Sequence, residues 1–252
     1  MNQEELLTAR RWRKHRVAVP LFCAFSAVLL LTGCQGTGAS VPPSATSQAQ
    51  SPEPVRHVVV VGDSLSTGLG TSAKEAWPSL INDSALAKSM NVKISNESQN
   101  SSGFLRVGSK NSTFTTQTEE GLTQDTSMVL FFGSENDRDQ DLQKLESAVG
   151  KTLAIAKQKA PNAKLVMVGP PAYITNPEPN RLAVRDALKN AAQDAAVEFV
   201  DPIAEGWIFN DVDRLVGPDG VHPSVEGQQD LQEKMGGLIT SALGAQSTDL
   251  GG

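Results

Sequence analysis

The chain has 252 residues, of which 39% are hydrophobic and 20% charged, and its formal net charge at pH 7 is −6. This acidic balance argues against nucleic acid or an anionic lipid surface as the binding partner. Cys23 and Cys34 are the only cysteines and both lie near the N-terminus, so the rest of the chain has no disulfide and no thiol nucleophile.

The N-terminus has the composition of an export signal. Five basic residues between positions 10 and 16 precede an apolar stretch from Val17 to Leu31, which is shorter than the about 20 residues that a permanent membrane span requires. Leu31-Thr32-Gly33-Cys34 then resembles the bacterial lipobox, in which the cysteine is lipidated and becomes the new N-terminus. We predict a lipoprotein signal over residues 1–33 and an extracytoplasmic, membrane-anchored protein. An ordinary secretory signal and a short uncleaved anchor are the alternatives.

Three segments are predicted after the signal. Residues 34–55 are rich in Ser, Pro and Gly and bury too little apolar surface to fold, so they are interpreted as a tether. Residues 56–245 are predicted to form a domain, which is long enough to be stabilised by its core alone. Residues 246–252 are predicted to be a flexible tail. Loss of residues 1–33, with five basic and two acidic side chains, leaves a mature net charge of −9.

Strand-like and helix-like segments alternate along the domain, which is typical of a parallel sheet covered by helices. We predict a single three-layer α/β/α domain with a flavodoxin-like, doubly wound parallel sheet of about five strands. The predicted strands are His57–Val61, Val92–Ser95, Met128–Phe132, Lys164–Val168 and Glu198–Val200, and the predicted helices are Ala76–Met90, Asp139–Lys159, Arg181–Ala196 and Ser224–Leu243.

Residues able to carry chemistry follow the predicted strands. Ser64 follows the first strand, Gly103 the second and Asn136 the third, while Asp219 and His222 follow the fifth. Because the carboxyl ends of parallel strands share one edge of the sheet, we expect these residues to meet there. Each also has a simpler interpretation: a helix cap at Ser64 or Asn136, a turn at His222, a loop glycine at Gly103.

Together, these segments resemble the SGNH/GDSL hydrolase family. The first block is Gly62-Asp63-Ser64-Leu65-Ser66 and the last is Asp219-Gly220-Val221-His222-Pro223. Gly103, with Gly108 as a rival, matches the glycine of the second block, and Asn136 matches the asparagine of the third. The third block departs from the family because Ser134 stands where a glycine is usual. Position 66 is a serine, so the G-x-S-x-G motif of α/β-hydrolases is absent.

The resemblance implies a cofactor-free serine esterase. Ser64 would attack the ester carbonyl, His222 would act as general base and then acid, and Asp219 would orient the imidazole. The Ser64 and Gly103 amides and the Asn136 side chain would form the oxyanion hole. No metal site is predicted, and no phosphate-binding glycine loop is present.

The sequence identifies the substrate only as a small-molecule or glycan ester. The absence of a long insertion favours a short acyl or acetyl group. A glycan-binding protein that uses the same scaffold without turnover, and an acyl-transfer enzyme of the cell envelope, are the competing interpretations. No partner protein is implied. Trp207 has two interpretations, a wall of the substrate site or a cover over the core.

Overall fold

The computed structural model describes residues 53–133 and 135–244. The predicted signal, Cys34, Ser134, the flexible tail and most of the tether lie outside the described residues. The described chain forms a sheet of five parallel strands in the order β2-β1-β3-β4-β5, as the sequence predicted. The strands are β1 (Arg56–Gly62), β2 (Val92–Asn96), β3 (Thr126–Phe132), β4 (Lys164–Val168) and β5 (Glu198–Val200).

Eight α-helices connect or follow the strands in this part of the chain. They are α1 (Ser64–Thr67), α2 (Trp77–Asp83), α3 (Ala85–Ser89), α4 (Phe114–Gly121), α5 (Leu142–Lys159), α6 (Pro179–Asp194), α7 (Val212–Leu215) and α8 (Val225–Gly244). None of the helices within residues 53–133 and 135–244 is long and apolar enough to cross a bilayer.

The helix predicted over residues 76–90 is two helices. Ser84 adopts an extended conformation, and its hydroxyl accepts the amide of Ala87 and so caps α3. A serine that satisfies a free helix amide in this way favours a new start over continuation. Helix α4 is not predicted from the sequence, because its residues FTTQTEEG lack apolar periodicity. A reciprocal capping box between Thr113 and Thr116 starts α4 instead.

Alternate residues of the strands build two separate cores. Val58, Val60 and Leu130 face the side covered by α2, α3 and α8. Val59, Val61 and Val129 face the side covered by α4, α5 and α6. This two-residue alternation in buried strands explains why their sequences are continuously apolar. Trp207 belongs to the first core and is 5% exposed, so it covers the core.

The carboxyl end of β1 is fixed by a buried glutamine. The Gln117 side chain accepts the Gly62 amide at 2.9 Å and donates to the Gly62 carbonyl at 3.0 Å. The same side chain donates to the hydroxyl of Ser102 at 2.9 Å. Helix α4 therefore ties the end of β1 to the segment that follows β2.

Candidate active site

Ser64 is the first residue of α1, directly beyond the end of β1. Asp63 caps this short helix by accepting the Leu65 amide at 3.0 Å. The cap fixes the turn, so the half-buried Ser64 side chain stands at the carboxyl edge of the sheet. Among the described residues, the amide of Ser64 has no hydrogen-bond acceptor.

His222 joins Ser64 to Asp219. Its Nε2 atom lies 3.0 Å from the Ser64 hydroxyl, and its Nδ1 atom lies 2.7 Å from the Asp219 carboxylate. The other carboxylate oxygen of Asp219 accepts the amides of Val221 and His222. The His222 amide and ring and the Val221 amide together lower the pKa of Asp219 to about 2. The ionised carboxylate therefore holds a proton on Nδ1 and leaves Nε2 to accept the Ser64 proton.

The loop that carries His222 is held on both sides. The Gly217 amide donates to the His222 carbonyl at 2.8 Å. Gly70, beyond α1, packs on the other side, where an added Cβ would lie 3.1 Å from the His222 Cβ. Gly70 also has a φ of +91°, a conformation that favours glycine. The imidazole is thus placed by backbone contacts as well as by Asp219.

Asn136 lies in a 3₁₀ turn, Glu135–Asp137, beyond β3. Its side-chain nitrogen lies 2.9 Å from the Ser102 carbonyl and 3.2 Å from the Asp63 carboxylate. Asn136 therefore contacts the residue before Ser64 and the segment after β2. The side-chain amide of Asn136 must give up its hydrogen bond to Asp63 or to Ser102 before it can donate to a substrate oxygen.

Neither predicted glycine has a free amide. The Gly103 amide donates to the Arg106 carbonyl at 2.9 Å, and the Gly108 amide donates to the Ser112 carbonyl at 2.8 Å. The geometry thus disfavours the predicted role of Gly103 as an oxyanion donor, because its hydrogen is already held in a loop bond. The rival Gly108 is disfavoured for the same reason.

A turn just before Gly103 does expose amides. Ser102 donates its amide to Gln99 at 3.3 Å, which closes a four-residue turn, and Ser101 at its third position has a φ of +61°. The amides of the two central turn residues, Asn100 and Ser101, have no acceptor in residues 53–133 and 135–244. The Asn100 side chain accepts the Thr67 hydroxyl at 2.5 Å, which places this turn beside the helix of Ser64.

A buried ion pair supports the loop of Asn136 from the side of α6. Arg181, 2% exposed, contacts the Glu135 carboxylate at 2.5 Å and the Pro171 carbonyl at 2.9 Å. Its guanidinium also lies 5.0 Å from the centre of the Tyr173 ring. Burial and the neighbouring Glu135 charge raise the pKa of Tyr173, which keeps this phenol neutral.

The sequence predicts no role for Ser101 or Asp137. Ser101 gives no sequence signal, because serine is an ordinary residue and only the structure shows its positive φ. Asp137 is fully buried and accepts backbone amides of residues 104–106. Within the part of the chain that the structure describes, no group of three His, Cys, Asp or Glu side chains forms a metal-binding cluster.

Sequence comparison identifies the family. The profile of the GDSL-like lipase/acylhydrolase family matches residues 60–229. The chain belongs to this family. A GDSL lipase of Mycobacterium tuberculosis is 32% identical over 191 residues, which cover 74% of this chain and 82% of the relative. These GDSL matches identify the chain as an ester hydrolase of the esterase or acylhydrolase type.

Solved esterase structures share the fold of this GDSL family member. The psychrotrophic esterase EstA from Pseudoalteromonas sp. aligns with a TM-score of 0.61 and 18% identity, over 75% of this chain and 99% of EstA. A family two carbohydrate esterase from Clostridium thermocellum, in complex with cellohexaose, aligns with a TM-score of 0.60 and 16% identity. The alignment covers 77% of this chain and 66% of that esterase. A carbohydrate acetylesterase from Sinorhizobium meliloti aligns with a TM-score of 0.58 and 18% identity, over 74% of this chain and 99% of that enzyme.

Proposed function

We propose that this GDSL family member hydrolyses carboxylic esters through an acyl-serine intermediate. The hydrogen-bonded series Ser64–His222–Asp219 carries the proposal, because it joins residues 158 positions apart in the order that a serine nucleophile requires. His222 takes the proton as Ser64 forms a bond to the acyl carbon, and then gives it to the departing alcohol. A water molecule, deprotonated by His222, releases the acid and restores Ser64.

Three donors are proposed for the oxyanion. Two are backbone amides without acceptors in the described chain, those of Ser64 and Ser101. The third is the side chain of Asn136, which exchanges its bond to Asp63 for the oxyanion. The strained φ of Ser101 agrees with this role, since left-handed conformations of non-glycine residues cost about 1 kcal/mol or more and concentrate at functional sites.

The proposed substrate is a short-chain acyl or acetyl ester of a small molecule or glycan. Two of the structural neighbours are carbohydrate esterases, one of them in complex with cellohexaose. Trp207 packs in the core, so it does not supply an acyl-binding wall. Acyl transfer to a second alcohol is the competing function.

A labelling and turnover experiment tests the proposal. The soluble domain from residue 53 is incubated with a fluorophosphonate probe and with p-nitrophenyl esters of two to twelve carbons. We expect stoichiometric labelling of the peptide that contains Ser64, and the highest kcat/KM on the acetyl or butyryl ester. Labelling without release of free acid in water would favour acyl transfer. Absence of both labelling and turnover would reject the esterase.

We further propose that Cys34 anchors the protein outside the cytoplasmic membrane. The proposal rests on the Leu31-Thr32-Gly33-Cys34 sequence behind a basic and apolar leader. Cells fed with a labelled fatty acid should incorporate the label into the full chain but not into Cys34→Ser. Cys23→Ser is the matched control and should keep the label. Equal incorporation by Cys34→Ser would contradict the anchor.

A further inference from the structure

Asp137 has a role that the proposed mechanism leaves unassigned. The residue directly follows Asn136, and its side chain is fully buried. A carboxylate removed from water is costly unless several donors compensate the charge. Three consecutive backbone amides of the segment beyond β2 supply that compensation: Phe104 at 2.7 Å, Leu105 at 3.2 Å and Arg106 at 2.8 Å.

Gly103 allows this close approach. A Cβ added at Gly103 would lie 2.5 to 2.7 Å from the Asp137 carboxylate, closer than non-bonded atoms tolerate. Its φ is not in the left-handed region, so the glycine is required by contact and not by backbone conformation. In the structure Gly103 therefore serves as the contact point for Asp137, while its own amide is held by the Arg106 carbonyl.

Asn136 and Asp137 hold the same loop at adjacent points. The Asn136 side chain donates to the Ser102 carbonyl, and Asp137 accepts the amides that start two residues later. The peptide between Ser102 and Gly103 is therefore fixed from both sides. The turn amide of Ser101 lies two peptide bonds before this peptide. Any movement of the loop moves that amide and removes the acceptor that orients Asn136.

We propose that Asp137 is a positioning residue that sets the oxyanion hole by fixing residues 101–106 against the 3₁₀ turn beyond β3. The inference rests on the proposed serine mechanism and adds a group that does not touch the substrate. Two of the three proposed donors, the Ser101 amide and the Asn136 side chain, depend on this loop. Ser64 and His222 make no hydrogen bond to it in the described chain, so the proton path through them is left intact.

Asp137→Asn tests the inference. One carboxylate oxygen becomes an NH₂ group, which in either orientation faces a backbone amide that needs an acceptor. We expect kcat on p-nitrophenyl acetate to fall on the order of 10- to 100-fold, because displacements of about 1 Å in a site cost this much, while KM stays within about twofold. The acid limb of the kcat/KM profile should keep its position, since Asp219 and His222 are unchanged.

Asp201→Asn is the matched control. The Asp201 carboxylate also accepts two backbone amides, of Ile203 and Ala204, and pairs with Arg185, but it follows β5 and makes no hydrogen bond to residues 101–106 in the described chain. It should lose thermal stability as Asp137→Asn does while keeping kcat within about twofold. An equal loss of kcat in both variants, or a change confined to KM, would show that Asp137 is only structural.

Gly103→Ala provides a second route if Asp137→Asn does not fold. The added methyl group moves the same loop while the carboxylate is retained, so kcat should fall without a change in KM. In the double variant the two losses should not multiply, because both act on one loop. Fluorophosphonate labelling distinguishes failure of the proposed serine mechanism from failure of the role of Asp137. An unlabelled wild type rejects the proposed function. A labelled wild type with equally fast labelling of both variants rejects only the role of Asp137.

Discussion

Ser64→Ala is expected to lower kcat on p-nitrophenyl acetate by on the order of 10⁴-fold or more, with little change in KM. The hydroxyl that forms the acyl intermediate is lost, while the surfaces that bind the ester remain. His222→Ala should lower kcat by a similar factor, because the substitution removes the base that lies 3.0 Å from the Ser64 hydroxyl. The measurement is initial rate at pH 7, where Asp219, whose pKa is lowered to about 2, is ionised.

The double variant Ser64→Ala/His222→Ala separates a shared mechanism from two independent effects. Residues that act as one unit are not additive, so the double variant should be no slower than the worse single variant. Multiplied losses would contradict a proton path from Ser64 to His222. Residual turnover above the uncatalysed rate is expected in all three, because the oxyanion donors remain.

Ser66 supplies the control within the same motif. Its hydroxyl is fully buried and accepts the Trp77 indole N–H at 3.2 Å, so it serves the packing of α2 against the sheet. Ser66→Ala should cost about 1 kcal/mol of unfolding free energy and leave kcat within about twofold of wild type. A large loss of kcat in Ser66→Ala, together with an active Ser64→Ala, would contradict the assignment of Ser64 as the nucleophile.

The sheet and the Ser64–His222–Asp219 series could be predicted from sequence for a physical reason. A buried parallel strand requires a continuous apolar run, and such runs stand out against the polar loops that follow them. The parallel topology then brings loops that are distant in sequence to one edge. Asp219 and His222 lie three residues apart, so their contact depends on a single local loop.

The oxyanion hole was harder to predict because it depends on backbone direction. A free amide leaves no mark on the sequence, and Ser101 reaches a positive φ without the glycine or asparagine that usually signals it. Gly103 does mark a close approach, but sequence does not say that the approaching group is the carboxylate of Asp137. Helix α4 was also not predicted, because it has no apolar periodicity. A capping box and the hydrogen bonds of Gln117 hold it in place instead.

Asn136→Ala is expected to lower kcat by about 100- to 1000-fold, the usual cost of one oxyanion donor. KM should change little, because the bond forms to the charged tetrahedral oxygen and not to the resting ester. Fluorophosphonate labelling should slow by a comparable factor. Asn96→Ala is the matched control: its side chain also bridges two backbone groups, the Ser66 carbonyl and the Ser98 amide, at the end of β2. It should keep kcat within about threefold.

The Asn136 variant also distinguishes donation from loop support. In the resting structure its nitrogen serves Ser102 and Asp63, so alanine removes a donor and loosens the same loop that Asp137 holds. If donation dominates, Asn136→Ala should lose far more than Asp137→Asn, and the double variant should be only slightly slower than Asn136→Ala. Equal losses in the two single variants would mean that Asn136 acts through the loop, and the oxyanion would then rest on the backbone amides of Ser64 and Ser101 alone.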